Sequence, residues 1–188
     1  MYKQNTSLRT DLPPALEAEL RHCRRYSVDD ATIALYTLID LPETELREIC
    51  TKIKTTFNDN ILQMEEWEVD DFISPAPGWN KLVQKDLGQV LEYHVRDLDE
   101  EWRDSSGLNE GVVQWYPFDF VVVTSRNWGS DGLVVVHCDY DRQSGRFTVD
   151  SCRMEAKELG FSVTSLRSGD DYFENLKSQF DMDGSSQG

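Results

Sequence analysis

The chain has 188 residues, of which 39% are apolar and 11% aromatic, and its net charge is −16. This composition excludes an intrinsically disordered protein and predicts one globular domain over residues 1–188 that buries a sizeable core. No apolar run approaches the roughly 18 residues needed to cross a bilayer, and the N-terminus lacks the apolar core of a signal peptide. We therefore expect a soluble intracellular protein, cytoplasmic or nuclear, that does not attach to membranes.

The negative charge is concentrated after the first 26 residues. Residues 1–26 hold five basic and three acidic side chains, so residues 27–188 carry a net charge of −18. A surface this acidic repels nucleic acids and anionic lipids and attracts basic proteins. The same charge also keeps a protein soluble without any partner, so the sequence leaves both interpretations open.

The four cysteines, Cys23, Cys50, Cys138 and Cys152, are widely separated along the chain. None belongs to a Cys-x-x-Cys pair of the kind that binds zinc, and their density is far below that of a secreted disulfide scaffold. We expect reduced thiols with a structural role.

The polar residues 1–10 are predicted to form a flexible tail, and the first helix follows them. Leu12, Leu16 and Leu20 fall on one helical face, and proline is tolerated in a first turn. Ser27 is suited to cap a second helix, which would contain Ile33, Leu35, Leu38 and Ile39. The β-branched residues in that segment leave a strand as the alternative.

Two longer amphipathic helices are predicted in the middle of the chain. Apolar side chains recur at three- and four-residue spacing over residues 42–57, and the polar residues 58–60 are expected to end or kink that helix. A second stripe over residues 79–102 predicts one helix of about 24 residues. The segment 74–78, Ser-Pro-Ala-Pro-Gly, separates them, and the acidic run 65–71 precedes it.

The last third of the chain is rich in β-formers. Residues 118–124 and 133–141 are predicted strands, and the turn at 143–145 joins the second of them to a third strand at 146–150. Each strand should alternate its side chains between two faces. These strands are therefore predicted to form an antiparallel sheet.

After these strands, residues 161–166 are predicted to form a short edge strand and residues 169–177 a closing helix, with residues 181–188 as a flexible tail. The predicted fold class is therefore α+β. N-terminal helices pack on a small antiparallel sheet that the C-terminal helix closes.

Two short motifs contain residues that bind metals in other proteins. His137-Cys-Asp139 has the spacing of two ligands of a facial iron triad, but no histidine follows to supply the third. Asp139-Tyr-Asp141 matches a two-carboxylate pattern by which some sugar transferases hold a divalent ion. The spacing of the longer run from Asp139 to Gly145 departs from that of a calcium-binding loop. Both stretches are more typical of a turn. We expect no metal and no cofactor.

No motif names a catalytic residue. His137 and Cys138 are neighbours in a predicted strand, so their side chains point to opposite faces and cannot form a thiolate–imidazolium pair. The chain contains no nucleophile elbow, no phosphate-binding glycine loop and no dinucleotide fingerprint.

Aromatic residues beside polar loops are the best candidates for recognition. Trp128 lies next to Gly129 among polar residues, where an exposed ring would make a good binding anchor. The alternative is that Trp128 folds back over the edge of the sheet, whereas Trp115 leads into an apolar strand and is expected in the core. The predicted partner surface consists of Trp128, Asn127, Asp131, Tyr140, Asp139 and Asp141.

Several short motifs between about residues 115 and 180 occur in an order that resembles the SMI1/KNR4-like (SUKH) family. They are Trp115-Tyr-Pro-Phe118, Asn127-Trp-Gly-Ser-Asp131, Asp139-Tyr-Asp141, Ser144-Gly145 and Asp171-Tyr-Phe-Glu-Asn-Leu176. Two features depart from the family pattern: residues 153–160 interrupt the run to the last helix, and the His/Asn-Gly step after the first helix is missing. The resemblance implies an α+β fold that binds another protein, as in immunity proteins that neutralise toxins and fungal regulators linked to cell-wall signalling.

We therefore expect a non-catalytic, acidic protein-binding module that recognises a basic protein partner, either like an immunity protein or as a regulatory scaffold. No direct nucleic-acid binding is expected. One alternative is a dedicated chaperone or nucleic-acid mimic for a basic protein. The other is an enzyme whose site is assembled from residues scattered along the sequence.

Overall fold

A six-stranded sheet runs through the computed structural model of the protein, which describes residues 9–24, 28, 31–61, 72–106 and 113–183. The strands are β1 (Arg9–Asp11), β2 (Thr32–Thr37), β3 (Ile73–Pro75), β4 (Trp115–Val123), β5 (Leu133–Asp141) and β6 (Arg146–Met154). The helices are α1 (Pro14–Cys23), α2 (Glu43–Ile61), α3 (Leu87–Ser106), the single turn α4 (Trp128–Asp131), α5 (Ala156–Ser168) and α6 (Phe173–Phe180).

The sheet is mixed, with the strand order β1-β6-β5-β4-β2-β3. Strand β2 runs parallel to both β3 and β4, and the other neighbouring pairs are antiparallel. The combination of helices and strands is as predicted. The prediction of a small, purely antiparallel sheet was wrong in extent, because β2 and β3 extend the sheet beyond the predicted strands and β2 runs parallel to its neighbours.

Helices cover both faces of the sheet, which explains the continuous apolar runs in the central strands. We call one side the α5 face, where α2, α5 and α6 pack on alternate residues such as Val121, Leu133 and Val135. The other is the α3 face, where α1 and α3 pack on residues such as Val122 and Val134. The predicted arrangement, with N-terminal helices packed on a sheet that the C-terminal helix closes, is not confirmed, because helices form a layer on each face.

Two segments adopt the opposite secondary structure to the one favoured by their sequence. Residues 32–37 form β2 and not a helix, because this segment pairs with β3 and β4 on its two sides and buries Ile33 on the α5 face and Ala34 on the α3 face. Residues 161–166 belong to α5 and not to an edge strand. Their alternating apolar residues concealed a helical stripe of Leu159, Val163 and Leu166, all of which are buried.

The helix predicted over residues 79–102 begins late. Residues Trp79–Leu82 form a 3-10 turn, and α3 starts only at Leu87. The break lies at Gln84, whose φ of 64° is left-handed. Asp86 Oδ1 then accepts a hydrogen bond from Gln89 N at 2.8 Å, and Gln89 Oε1 accepts one from Asp86 N at 3.2 Å, which is a reciprocal cap for the new helix.

The predicted helix over residues 42–57 is confirmed, but α2 continues through the polar residues 58–60 instead of ending there. The acidic run 65–71 lies outside the described residues. None of the described helices is both long and apolar enough to cross a membrane. All four cysteine side chains are buried.

The described parts of both predicted tails pack against β6. Residues Arg9–Asp11 form the edge strand β1. After α6, Met182 N donates a hydrogen bond to the carbonyl oxygen of Arg153 at 2.8 Å, and Asp181 Oδ1 accepts one from Arg153 N at 3.2 Å. Residues 1–8 and 184–188 lie outside the described residues.

The contact between α2 and α5 depends on a glycine. A Cβ atom on Gly160 would lie 2.7 Å from Phe57 Cβ and 2.9 Å from the carbonyl oxygen of Ile53. Gly160→Ala should therefore lower the free energy of unfolding by about 1–3 kcal/mol, measured by urea denaturation. Gly129→Ala is the control, since a Cβ there meets nothing within 4 Å. Equal stability of the two variants would contradict this packing.

Candidate functional site

Polar residues form two rows across the α5 face, near the end of β5. The strand register places His137 opposite Asp119 on one side and opposite Asp150 on the other. Two residues further along β5, Asp139 is opposite Thr148, which is itself opposite Asp11 of β1. Side chains directly opposite each other, or two residues apart on one strand, share a face of the sheet. The fold therefore gathers residues from four strands into one polar area.

Helix α6 covers part of this area. The Phe173 ring stacks on His137 with a centroid distance of 5.0 Å and an interplanar angle of 18°. One turn later, Lys177 Nζ lies 2.8 Å from Asp150 Oδ1 and 3.0 Å from Oδ2. The chain can turn from α5 into α6 because Gly169 adopts a φ of +74°. The helix therefore contributes one apolar wall and one cation.

The two rows of polar residues on the sheet and the start of α6 line an open cavity with two lobes, which we call the acidic groove. The first lobe has a volume of about 480 Å³ and includes Asp11, His137, Asp139, Thr148, Asp150, Phe173 and Glu174. The second has a volume of about 600 Å³, shares His137, Asp139, Phe173 and Glu174 with the first, and adds residues that include Arg24, Tyr140, Arg142, Asp171 and Tyr172. The groove is large enough to hold one or two side chains of a partner.

The imidazole of His137 lines the groove and is held by a buried carboxylate that does not line it. Asp119 has no exposed surface, and its Oδ1 lies 2.6 Å from Nδ1 of His137. Asp119 Oδ2 has no hydrogen-bond partner among the described residues. Since a carboxylate accepts and does not donate, the Nδ1 position carries the proton. Stacking on Phe173 and the bond to Asp119 together fix the orientation of the His137 ring.

The charges around His137 favour its protonated form. Burial alone would lower the pKa of His137, but the charge and the hydrogen bond of Asp119, with smaller effects from Asp139 and Glu174, raise that pKa above its ordinary value. Protonated His137 would therefore add a positive charge inside the first lobe, where Lys177 is already paired with Asp150.

The carboxylates of Asp139 and Glu174 have no ion-pair partner among the described residues. In the first lobe, Asp11, Asp139, Asp150 and Glu174 contribute four carboxylates, and no lysine or arginine of the described chain lines it. In the second lobe the negative charges are partly balanced by positive ones, because Arg24 and Arg142 line it. The guanidinium carbon of Arg24 lies 3.8 Å from the centroid of the Tyr140 ring, so this arginine is held as part of the wall.

The residues predicted for the partner surface fall at both ends of β5. Asp139 and Tyr140 line the groove. Asp141 does not line it and instead forms a turn, accepting hydrogen bonds from the backbone N–H groups of Gln143 at 2.8 Å and Ser144 at 3.2 Å. The side-chain hydrogen bond with Ser144, followed by the backbone bond from Gln143, lowers the pKa of Asp141.

The other predicted residues lie before the first residue of β5. Trp128 is half-buried and packs against the core of the α5 face, which agrees with the alternative that its ring covers the sheet. Asn127 is exposed, and Asp131 Oδ2 accepts a hydrogen bond from Ser125 Oγ at 2.5 Å. A nine-residue strand spans roughly 25 Å, so these residues cannot form one small site with the groove.

Sequence reasoning missed Asp119 as the partner of His137. The available signal was an aspartate within the apolar segment Phe118-Asp-Phe-Val-Val-Val123. A buried carboxylate requires a partner, and a histidine at an inward position of the next strand is a suitable one. The alternation of β5 was predicted correctly, with His137 on the α5 face and Cys138 on the α3 face.

The polar cluster does not have the geometry of a metal site. Among the described residues, no group of three or more histidine, cysteine, aspartate or glutamate side chains is arranged to hold a metal ion. His94 lies on the far side of the sheet, against Tyr36 and Phe120. Burial, and then the charge of Asp119, raises the pKa of the Cys138 thiol above its ordinary range, so it stays protonated.

No family model, curated protein sequence or solved structure matches this chain.

Proposed function

We propose that the protein is a non-catalytic binding module that recognises a basic protein partner, and that the acidic groove receives a cationic side chain of that partner. The observation that carries this proposal is the first lobe, where the carboxylates of Asp139 and Glu174 line a cavity without a paired cation among the described residues. A lysine or arginine placed there would meet carboxylates already collected by the fold.

The rim of the groove adds an aromatic side chain suited to the same ligand. Tyr172 is 78% exposed, which makes it the most exposed large hydrophobic residue in the described chain. It lies between Asp171 and Phe173 at the edge of the second lobe. Exposed tyrosines are frequent binding anchors, and a ring beside carboxylates favours cations through its π face.

Two sequence features support the same function. Residues 27–188 carry a net charge of −18, which attracts basic partners from a distance. The resemblance to the SMI1/KNR4-like family implies a domain that binds proteins, and its motifs include Asp139-Tyr-Asp141 and the start of α6. Immunity-like binding of a toxin and scaffolding of a regulator both require this kind of recognition.

The proposal predicts binding of a simple basic peptide. An acetylated, amidated tetra-arginine peptide should bind the protein, and a tetra-glutamate peptide should not. Removing two of the negative charges of the groove in Asp139→Asn/Glu174→Gln should weaken tetra-arginine binding about tenfold. Raising the salt concentration from about 50 to about 500 mM should weaken binding and slow association, because the screening length shrinks several-fold. Calorimetry and stopped-flow fluorescence measure these effects.

A matched control separates the groove from the overall charge. Glu19→Gln/Glu48→Gln also removes two negative charges, but from exposed positions on α1 and α2 that do not line the groove. Affinity in this variant should change by less than about threefold. An equal loss in both double variants would show that only net charge matters. Trp128→Ala tests separately whether the far end of β5 takes part.

A second candidate function is an enzyme, and the Asp119–His137 pair is the observation that favours it. A buried carboxylate that orients a histidine at a cavity is an arrangement that general bases use. Mass spectrometry of the peptide after incubation separates the two candidates. Intact peptide agrees with a binding module, and peptide hydrolysis that is lost in His137→Gln would establish the enzyme instead.

A further inference from the structure

His137 is the one histidine of the described residues that lines the acidic groove. Its side chain is 16% exposed, so it reaches the cavity while remaining mostly enclosed. The 2.6 Å contact with Asp119 and the stack on Phe173 fix the orientation of the ring. Gaining or losing a proton therefore changes the charge of the groove without requiring the ring to move.

Charged groups face His137 from every strand and from α6 around it, and most are acidic. Asp119 contacts it directly, and Lys177 compensates Asp150. On α5, Arg167 donates a hydrogen bond to the carbonyl oxygen of Ala31 and does not line the groove. The other charged groups that line the groove are Asp11, Asp139, Glu174, Asp171, Arg24 and Arg142.

We propose that a cationic side chain of the partner and the proton of His137 compete for the carboxylates of Asp139 and Glu174, so that the partner binds with release of that proton. This inference rests on the proposed function of the groove. The two cations would share one lobe, and two positive charges a few ångströms apart repel each other in a partly buried site. A bound lysine or arginine therefore favours neutral His137, and neutral His137 favours the bound ligand.

The competition predicts that affinity rises with pH. The arginines of the peptide stay protonated between about pH 5.5 and pH 8.5. His137 lines the groove, and Asp119 keeps the pKa of His137 above its ordinary value near 6.5. Affinity for the tetra-arginine peptide should therefore increase about three- to tenfold across the interval as His137 loses its proton.

Two variants locate the effect. His137→Gln keeps a polar side chain beside Asp119 but cannot titrate, so it should bind the peptide with the same affinity at every pH in this interval. His22→Gln removes an exposed histidine of α1 that does not line the groove, and it should follow the wild type. Isothermal titration calorimetry in two buffers with different ionisation enthalpies should count up to one proton released per peptide by the wild type.

A measurement on the wild-type protein covers the case in which His137→Gln fails to fold. The pKa of His137, followed by NMR, should fall when the peptide saturates the groove, as linkage requires. Binding that does not depend on pH, or an unchanged pKa of His137 in the complex, would overturn the competition while leaving the proposed function in place. Absence of peptide binding at every pH would instead overturn the proposed function.

Discussion

Replacing Trp115 by alanine should lower the free energy of unfolding by about 3–5 kcal/mol, as truncations of buried aromatic residues do. Trp115 is 6% exposed and packs among the core residues of the α3 face. Its Nε1 atom is buried without a hydrogen-bond partner among the described residues, so lost packing is the source of the destabilisation. Urea denaturation followed by circular dichroism measures the effect.

Two other variants test this explanation. Trp115→Phe should recover more than half of the loss, because it keeps an aromatic ring and no hydrogen bond depends on the indole N–H. Trp128→Ala should cost only about 1 kcal/mol, because Trp128 is half-buried at the edge of the opposite face. If Trp128→Ala proves as destabilising as Trp115→Ala, the assignment of these two residues to core and edge is wrong.

The sequence predicted β4, β5, β6, α1 and α2 because each has a strong periodicity or a clear turn beside it. It failed for β2, since apolar residues in a strand covered on both faces do not alternate with polar ones. It also failed for α5, where Val163 and neighbouring apolar residues alternate locally although the segment is helical. Whether these two segments form a strand or a helix depends on tertiary packing, and a local sequence pattern does not contain that information.

The candidate site could be predicted only in part. Alternation along β5 correctly placed His137 and Asp139 on one face, but nothing in the sequence specifies that Asp119 lies opposite His137. That contact depends on the register of two strands, and the approach of α6 depends on the turn at Gly169. Exposed loop aromatics drew attention to Trp128, whereas the exposed ring beside the groove belongs to Tyr172.

Acid should destabilise the protein by on the order of 3 kcal/mol between about pH 6.5 and pH 4 through a single buried histidine, His94. Its Nε2 lies 3.1 Å from the carbonyl oxygen of Tyr116 and its Nδ1 lies 2.9 Å from Tyr36 Oη. The carbonyl can only accept, so Nε2 carries the proton and the tyrosine hydroxyl donates to Nδ1. The neutral ring is therefore fully hydrogen-bonded, and a second proton would displace the hydroxyl donor.

Burial lowers the pKa of His94 from 6.5 to about 4, against smaller opposing effects of the hydrogen bonds to Tyr116 and Pro117. Because the unfolded chain takes up this proton first, the stability contributed by neutral His94 is complete above about pH 6.5 and is lost as the pH falls towards 4. His137 has a raised pKa, so its contribution to the free energy of unfolding is complete below about pH 6.5. It therefore does not make stability depend on pH between about pH 6.5 and pH 4.

His94→Gln tests the assignment, because a glutamine can accept from Tyr36 and donate to Tyr116 without titrating. Urea denaturation at about pH 4.5, 5.5 and 6.5 should show a steep decline in stability for the wild type and a much smaller one for His94→Gln. His22→Gln, which changes an exposed histidine, should decline like the wild type. If His94→Gln and the wild type lose stability in parallel, His94 is not the group that unfolds the protein in acid.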